Sequence, residues 1–379
     1  MKIAIIGGGI AAFEAARTVR ELSPDAEIAL FSREAVPPYR RPALSRMAAE
    51  ELSDAQFLIK PQAFYAEQRV RLELSRTLVS FDPAAKRLVF GDGAAEGYDK
   101  LLLATGAHCF LPPVPGIGLD GVMSLREYAD LEQLRARLDA GAKRAVVIGG
   151  GLLGLELAQS LLARGCETTV LEGCPILLPR NLDAEAAAVV QAMLAKVPGL
   201  TLRFGQCVAR IAEISGKAAG VETGNETVPA ELVMVSTGTR SNIAEAKAAG
   251  IPCRRGILAD RFMKTGVPDV FAAGDCAEVD GVSYGLYDAA RMMGAAAGRS
   301  MCGQPEPFVP QAYPARLSVF GLKIFSAGKF EGARAETQHD PAAGTFRKLW
   351  FDAAGRTVGG ILVGDLREAV KLQSQIVVS

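Results

Sequence analysis

Two stretches of the chain repeat one pattern of apolar and polar positions. Residues 3–34 begin IAIIGGGIAAFEAARTVREL and end EIALFSRE; residues 145–172 begin AVVIGGGLLGLELAQSLLARG and end ETTVLE. In each, a continuous apolar run predicts a buried strand. Three glycines then predict a tight turn, apolar positions at helical spacing predict an amphipathic helix, and a second apolar run predicts another strand. An acidic residue closes each stretch, Glu34 in the first and Glu172 in the second. Positions 7–12 read GxGxxA and positions 149–154 read GxGxxG. A glycine fingerprint between strand and helix, with an acid after the next strand, is the arrangement that binds a dinucleotide. Glycine lets the backbone approach a pyrophosphate, and the amides and positive end of the helix bind its charge.

The repeat continues past the fingerprints. Apolar runs at residues 101–104 and 232–236 lead into Thr105-Gly106 and Thr237-Gly238. A further run at 270–273 ends in Gly274-Asp275 and precedes a helical pattern over roughly 286–301. The second unit therefore reads as inserted into the first, which resumes near residue 240. From about Cys302, Pro305, Pro307, Pro310 and Pro314 punctuate a linker, and short apolar runs at 317–320, 323–326, 348–351 and 358–363 predict a small sheet. The expected fold class is α/β, with two Rossmann-like dinucleotide-binding domains and a small α+β C-terminal domain. The expected boundaries are 1–112 with 238–303, then 113–237, then 304–379.

Composition narrows the chemistry. Lys plus Arg is 42 and Asp plus Glu is 42, so the balanced charge gives nucleic acid or an anionic membrane no electrostatic footing. No uncharged apolar run reaches membrane-spanning length. Seven cysteines form no CxxC, and the chain has two histidines, so neither a disulfide framework nor a metal centre is expected. Cysteine usage of this kind suits a reducing, cytoplasmic compartment. The reactive chemistry is expected to belong to an organic cofactor.

Three further segments sharpen the picture. They are PYRRPALSR at 38–46, LLPRNLD at 177–183 and FGLKIFSAG at 320–328. With the two fingerprints, they resemble the pyridine-nucleotide disulfide oxidoreductase superfamily over essentially the whole chain. Within it the resemblance is to NADH:rubredoxin oxidoreductase, the flavin portion of the NADH-dependent nitrite reductase large subunit, and ferredoxin reductases.

The resemblance implies FAD on the first repeat. Gly7, Gly9 and Ala12, with Ile10 and Ala11 between them, would hold its pyrophosphate, and Glu34 beside Arg33 its ribose. Arg41, next to Pro42, would face the phosphates, and the Val79 backbone would meet the adenine. Thr105, Gly106 and Gly274 would line the cleft, Asp275 would bond the ribityl chain, and Met293 on the following helix is grouped with these contacts. The resemblance implies NAD on the second repeat, with Gly149, Gly151 and Gly154 at the pyrophosphate, Leu152, Leu153 and Gly238 nearby, and Glu172 on the ribose. A carboxylate there favours NADH over NADPH. Glu156 and Arg46 are the expected catalytic pair, beside the flavin, although relatives have Lys where this chain has Arg46.

Ser318 likewise stands where rubredoxin-reductase-like sequences often have Lys. Relatives with thiol relays carry cysteine ahead of the flavin, whereas residues 37–47 have none. Cys109, Cys276 and Cys302 are expected to be packing residues. Lys323, Lys329, Arg334 and Lys348 are candidates for a basic docking face. The implied function is an FAD-dependent, NADH-oxidising electron-transfer reductase that passes electrons to a one-electron carrier such as rubredoxin or ferredoxin. The alternatives are a thiol-free NADH oxidase or small-acceptor reductase, and a redox-sensing flavoprotein without turnover.

Overall fold

The computed structural model describes residues 1–224 and 226–377. Its first sheet is parallel throughout, with strand order Val270–Ala272, Lys100–Leu103, Lys2–Ile6, Glu27–Phe31, Val70–Glu73. The second sheet is also parallel, in the order Leu200–Phe204, Glu167–Glu172, Arg144–Ile148, Leu232–Val235, Val122–Met123. The central strands are apolar on both faces because elements cover both sides, which is why they read as runs rather than alternations. Ile5, Leu101 and Val147 have no exposed surface.

Each sheet carries a three-stranded antiparallel meander, at Leu78–Asp82, Arg87–Phe90 and Ala95–Gly97 in the first unit and at Val208–Ile214, Lys217–Thr223 and Thr227–Pro229 in the second. The chain leaves the first unit along Ala107–Cys109 and returns along Thr239–Ser241, and these two strands pair antiparallel. The first sheet thus receives its last strand, Val270–Ala272, only after the second unit is complete.

The first fingerprint helix, Ile10–Leu22, lies against the long helix Tyr287–Met301. Side chains at Gly294 and Gly298 would run into the backbone at Ala11 and Ala15, so the helices meet unusually closely. That contact fixes the far end of the chain onto the first glycine turn.

The C-terminal sheet is antiparallel, in the order Ala315–Val319, Leu322–Gly328, Thr357–Val363, Thr345–Phe351, Arg334–Asp340. One face buries Phe325, Leu349 and Leu362 under the helix Ala369–Gln375. The other sets Leu317, Ile324 and Trp350 into one core with Leu177 and Leu178 of the second unit. Burying a large apolar side chain is worth about 1.5–3 kcal/mol, so this seam fixes the domain on the second unit. The strand Arg334–Asp340 is absent from the sequence expectation because every residue in it is exposed. An edge strand without a buried face leaves no periodic signal. Lys348, a candidate for a solvated docking face, points inward and is paired with Asp183 at 2.7 Å and Glu185 at 3.0 Å.

Among the described residues, no helix is long and apolar enough to cross a membrane. No group of three or more His, Cys, Asp or Glu among them is placed to hold a metal ion.

Candidate functional site

The two glycine turns have the same backbone. Gly7 and Gly149 adopt φ values of 140° and 112°, a region open to glycine and strained for other residues. A Cβ at Gly7 would collide with the Ala104 carbonyl, and one at Gly149 with the Ser236 carbonyl. Each turn thus needs glycine twice over. The following helices, Ile10–Leu22 and Leu152–Ala163, start at Gly9 and Gly151, with no capping side chain and no acidic residue in the first turn. Space beside both cap glycines is open. An uncapped helix end facing open space, with no carboxylate to repel an anion, fits a pyrophosphate.

The first turn opens into a cavity of about 750 Å³. Of the residues expected at the first cofactor, Gly7, Gly9, Ile10, Ala11, Arg33, Glu34, Arg41, Pro42, Thr105, Gly106, Gly274 and Asp275 all line it. Glu34 is held from three sides: Arg41 donates at 2.6 Å, the Tyr39 hydroxyl at 2.6 Å and the Tyr128 amide at 3.1 Å. Burial pushes the Glu34 carboxyl up, but the Arg41 charge and the Tyr39 hydroxyl more than offset it and hold the group below its ordinary range. Arg41 also bonds the Arg126 carbonyl, and Arg33 pairs with Glu127. Asp275 accepts from Arg126 at 2.6 Å, and Arg126 is anchored on the Ala107 carbonyl at 3.0 Å.

Three of the residues expected at the first cofactor are not part of the cavity wall. Ala12 is fully buried in the core, one residue beyond the wall of the cavity. The Val79 side chain is 56% exposed, while its neighbours Thr77 and Leu78 line the cavity, so the expected contact through the Val79 backbone lies next to the wall. Met293 is fully buried in the core, and Leu286, Tyr287 and Ala290 present the helix to the cavity.

The two acidic residues are not equivalent either. Phe31 and Leu171 occupy the same register, each accepting from the first glycine of its turn at 2.8 Å. The counterpart of Glu172 is therefore Ser32, and Glu34 lies two residues further on.

At the second turn, Glu172 accepts from the Gly150 amide at 2.8 Å and from the Cys174 amide at 2.8 Å. Gly154 packs against the Gly149 carbonyl with no room for a side chain. Gly238 is exposed at the start of the returning strand and accepts from the Phe110 amide at 2.9 Å.

The second fingerprint helix reaches across. Leu152, Leu153 and Glu156 line the same large cavity as the first turn. Glu156 is largely buried and accepts from the Ser45 hydroxyl at 2.8 Å, while Ser160 bonds the Ser45 carbonyl at 2.7 Å. Burial pushes the Glu156 carboxyl up, opposed only in part by Ser45.

The expected Arg46–Glu156 pair is replaced by two other contacts. Arg46 pairs with Glu50 at 2.6 Å, one turn along its own chain, with both side chains more than half exposed. On the short helix Leu44–Met47, Leu44, Ser45 and Met47 face inward, which turns position 46 outward. A charged side chain on that face stays hydrated rather than crossing a buried layer. Ser318 is exposed and outside the cavity wall, whereas Arg316, two residues earlier on the strand, lines it.

Tyr39 and Ser45 lie inside the quoted PYRRPALSR segment, so the motif pointed to them without assigning a role. Arg126 has no local signal, since its partner Asp275 is 149 residues away. Cys276 is fully buried, and Cys109 and Cys302 are half-buried.

Comparison with known proteins agrees with this geometry. The pyridine nucleotide-disulphide oxidoreductase family matches residues 1–294, and the rubredoxin NAD+ reductase C-terminal domain matches residues 314–378. The chain is 31% identical over 387 residues to a nitrite reductase [NAD(P)H] of Bacillus subtilis, covering 99% of this chain and 47% of that protein. It is 33% identical over 282 residues to a rubredoxin-NAD(+) reductase of Ectopseudomonas oleovorans, covering 73% of this chain and 72% of that one. A ferredoxin reductase structure from Rhodopseudomonas palustris superposes with a TM-score of 0.90 at 27% identity, covering 99% of this chain and 95% of the other. The chain spans about half the length, or less, of the first curated relatives it matches.

Proposed function

The chain belongs to the pyridine nucleotide-disulphide oxidoreductase family, and from that premise we propose that it is an FAD-dependent enzyme that oxidises NADH and passes electrons to a small one-electron carrier protein of the rubredoxin or ferredoxin kind. One observation carries this reading: Leu152, Leu153 and Glu156 of the second glycine unit form part of the wall of the first unit's cavity. Two dinucleotides seated on the two turns would meet there. FAD, when bound, supplies the capacity to take a hydride from a nicotinamide and release electrons one at a time.

The chain's own residues bind, orient and shield. The Gly7 and Gly149 turns would take the two pyrophosphates, with residues 1–112 and 238–303 forming the FAD unit and 113–237 the NAD unit. The Glu34–Arg41–Tyr39 cluster stiffens the wall around the first cofactor, and the Arg126–Asp275 pair ties the two units together beside it. Pairs held on several sides keep a site in one geometry, which is how a protein contributes to a reaction whose chemistry belongs to the cofactor. Glu172 would accept from ribose hydroxyls and disfavour a 2′-phosphate. Glu156, largely buried and accepting from the Ser45 hydroxyl, would stand beside the junction of the two ligands.

Residues 37–47, which supply part of the cavity wall, hold no cysteine, so the proposed electron path uses no thiol from this segment. A carrier protein is supported by the rubredoxin NAD+ reductase C-terminal domain at 314–378 and by the ferredoxin reductase likeness. Steady-state NADH oxidation by the flavin-loaded protein, with rubredoxin, ferredoxin, a quinone or oxygen as acceptor, tests the proposal. Turnover at least tenfold faster with a carrier protein than with oxygen is expected. Equal rates with oxygen alone would make the protein an NADH oxidase instead.

A further inference from the structure

Of the seven cysteines, all among the described residues, two are exposed, Cys174 and Cys207, and they follow neighbouring strands. Cys174 follows the strand Glu167–Glu172 and Cys207 follows the adjacent parallel strand Leu200–Phe204. The two segments stay bonded beyond the sheet: the Gly205 amide donates to the Cys174 carbonyl at 3.0 Å and the Gln206 amide to the Glu172 carbonyl at 3.1 Å. The next residue along is Cys207. The Cys174 thiol is also within hydrogen-bonding reach of the Glu172 carboxylate, which already accepts the Cys174 amide.

We propose that Cys174 and Cys207 are a modification site, joined by a reversible disulfide that weakens nicotinamide nucleotide binding at Glu172. The effect on binding rests on the reading of Glu172 given above; formation of the bond does not.

The chemistry balances with a small-molecule disulfide as oxidant. The Cys207 thiolate attacks it, forming a mixed disulfide and releasing one small thiol. The Cys174 thiol then loses its proton and displaces the second small thiol, leaving the sulfur–sulfur bond within the protein. The protein loses two electrons and two protons, and the oxidant becomes two thiols. The order follows from charge. Desolvation, the Glu172 charge and the hydrogen bond to it push the Cys174 thiol up, so Cys174 suits the resolving rather than the attacking role.

Glu172 depends on Cys174 for a backbone donor and for a thiol neighbour. Drawing Cys174 toward residues 205–207 takes away the thiol and shifts the carboxylate from the position that meets the ribose. By reciprocity, bound nucleotide opposes formation of the bond.

The test uses purified flavin-loaded protein and glutathione disulfide, with peptide mass mapping and NAD+ binding as separate readouts. The expected result is a linked peptide pair containing Cys174 and Cys207, with an NAD+ Kd raised about tenfold, the scale of one charge-assisted hydrogen bond. Dithiothreitol restores the affinity. Cys207→Ser keeps the reduced-state affinity and loses the response, and saturation with NAD+ slows the linkage. Mixed glutathione adducts without a Cys174–Cys207 link, or a link that leaves the Kd unchanged, overturn the proposal. Glu172→Ala in the reduced protein separates the two readings: if it leaves NAD+ affinity unchanged while the link still forms, the assignment of Glu172 fails and the thiol pair stands.

Discussion

The two glycine turns share strand, backbone angles and uncapped helix, yet their surroundings differ. The first is roofed by segments from across the sequence, including residues near 41, 77, 105, 126, 242, 274 and 287, which together close a cavity of about 750 Å³. Three charged pairs, Glu34–Arg41, Arg33–Glu127 and Arg126–Asp275, brace its wall. At the second turn, Glu172 bonds back to the turn itself, and Gly173 and Cys174 beside it are exposed. One fingerprint thus serves two purposes: an enclosing wall suits a ligand that stays, and an open edge suits one that comes and goes.

The sharpest way to break this comparison is to place the same substitution in both turns. In Gly7→Ala, strain at positive φ and collision with Ala104 should together exceed about 3 kcal/mol, a loss of at least a hundredfold in cofactor affinity. That variant should purify without yellow colour. Gly149→Ala, with the same strain, should keep its flavin absorbance and lose its reduction by NADH in rapid mixing. Colour lost from both or from neither would dissolve the distinction.

Arg41→Ala tests the wall of the first site. Leaving Glu34 without its cation in a buried position should cost about 3–5 kcal/mol and show as a lowered Tm and weaker flavin retention. Glu172→Ala tests the open edge. Losing a charge-assisted bond of about 1.5–3 kcal/mol should raise KM for NADH roughly ten- to a hundredfold, with Tm little changed. Equal losses of Tm in the two variants would argue against an enclosed first site and an open second one.

The carboxyls Glu34 and Glu156 sharpen the comparison through pH. The Glu34 group is held below its ordinary value of 4.5, so its stabilisation is present above that pH and is lost as pH falls through the depressed value. The Glu156 group is raised, so the folded protein loses stability as pH rises from 4.5 through the raised value. Glu34→Gln should therefore destabilise the protein at neutral pH and flatten its acid limb. Glu156→Gln should leave neutral stability equal or higher. Tm measured from pH 3 to pH 8 checks both, and parallel shifts in the two variants would refute the assignment. The smallest effect is expected from Arg46→Ala, since an exposed pair with Glu50 is worth about 0.5 kcal/mol or less. A large change in flavin reduction there would return Arg46 to the junction.

What the sequence made legible was local. Strand, glycine turn and helix are specified within some 20 neighbouring residues, so both fingerprints and the insertion of one unit into the other could be read directly. What it hid depended on direction or distance. Arg46 sits in a recognisable motif, yet which way it points follows from Leu44, Ser45 and Met47 facing the core. Glu172 ends its strand and Glu34 lies beyond its own, and the register of Phe31 and Leu171 shows that they are two residues out of step. Arg126 meets Asp275 only because the chain returns to the first sheet after residue 240. The strand Arg334–Asp340 escaped notice because a strand without a buried face carries no pattern.

The insertion also bears on how the protein is made. Chains emerge from the ribosome N-terminus first, and units fold as they become complete. Here residues 1–109 cannot finish their own core as they emerge, because the strand Val270–Ala272 and the helix Tyr287–Met301 that close it are synthesised after the whole second unit. The strand Lys100–Leu103 meanwhile has an open edge, unpaired on the side where Val270–Ala272 will add. The second unit, continuous in the chain, is free to fold first and to hold the ends of the ribbon Ala107–Cys109 and Thr239–Ser241 together. It serves as a clamp that brings the two ends of that long excursion to the spacing of paired strands before the first unit has to close around it.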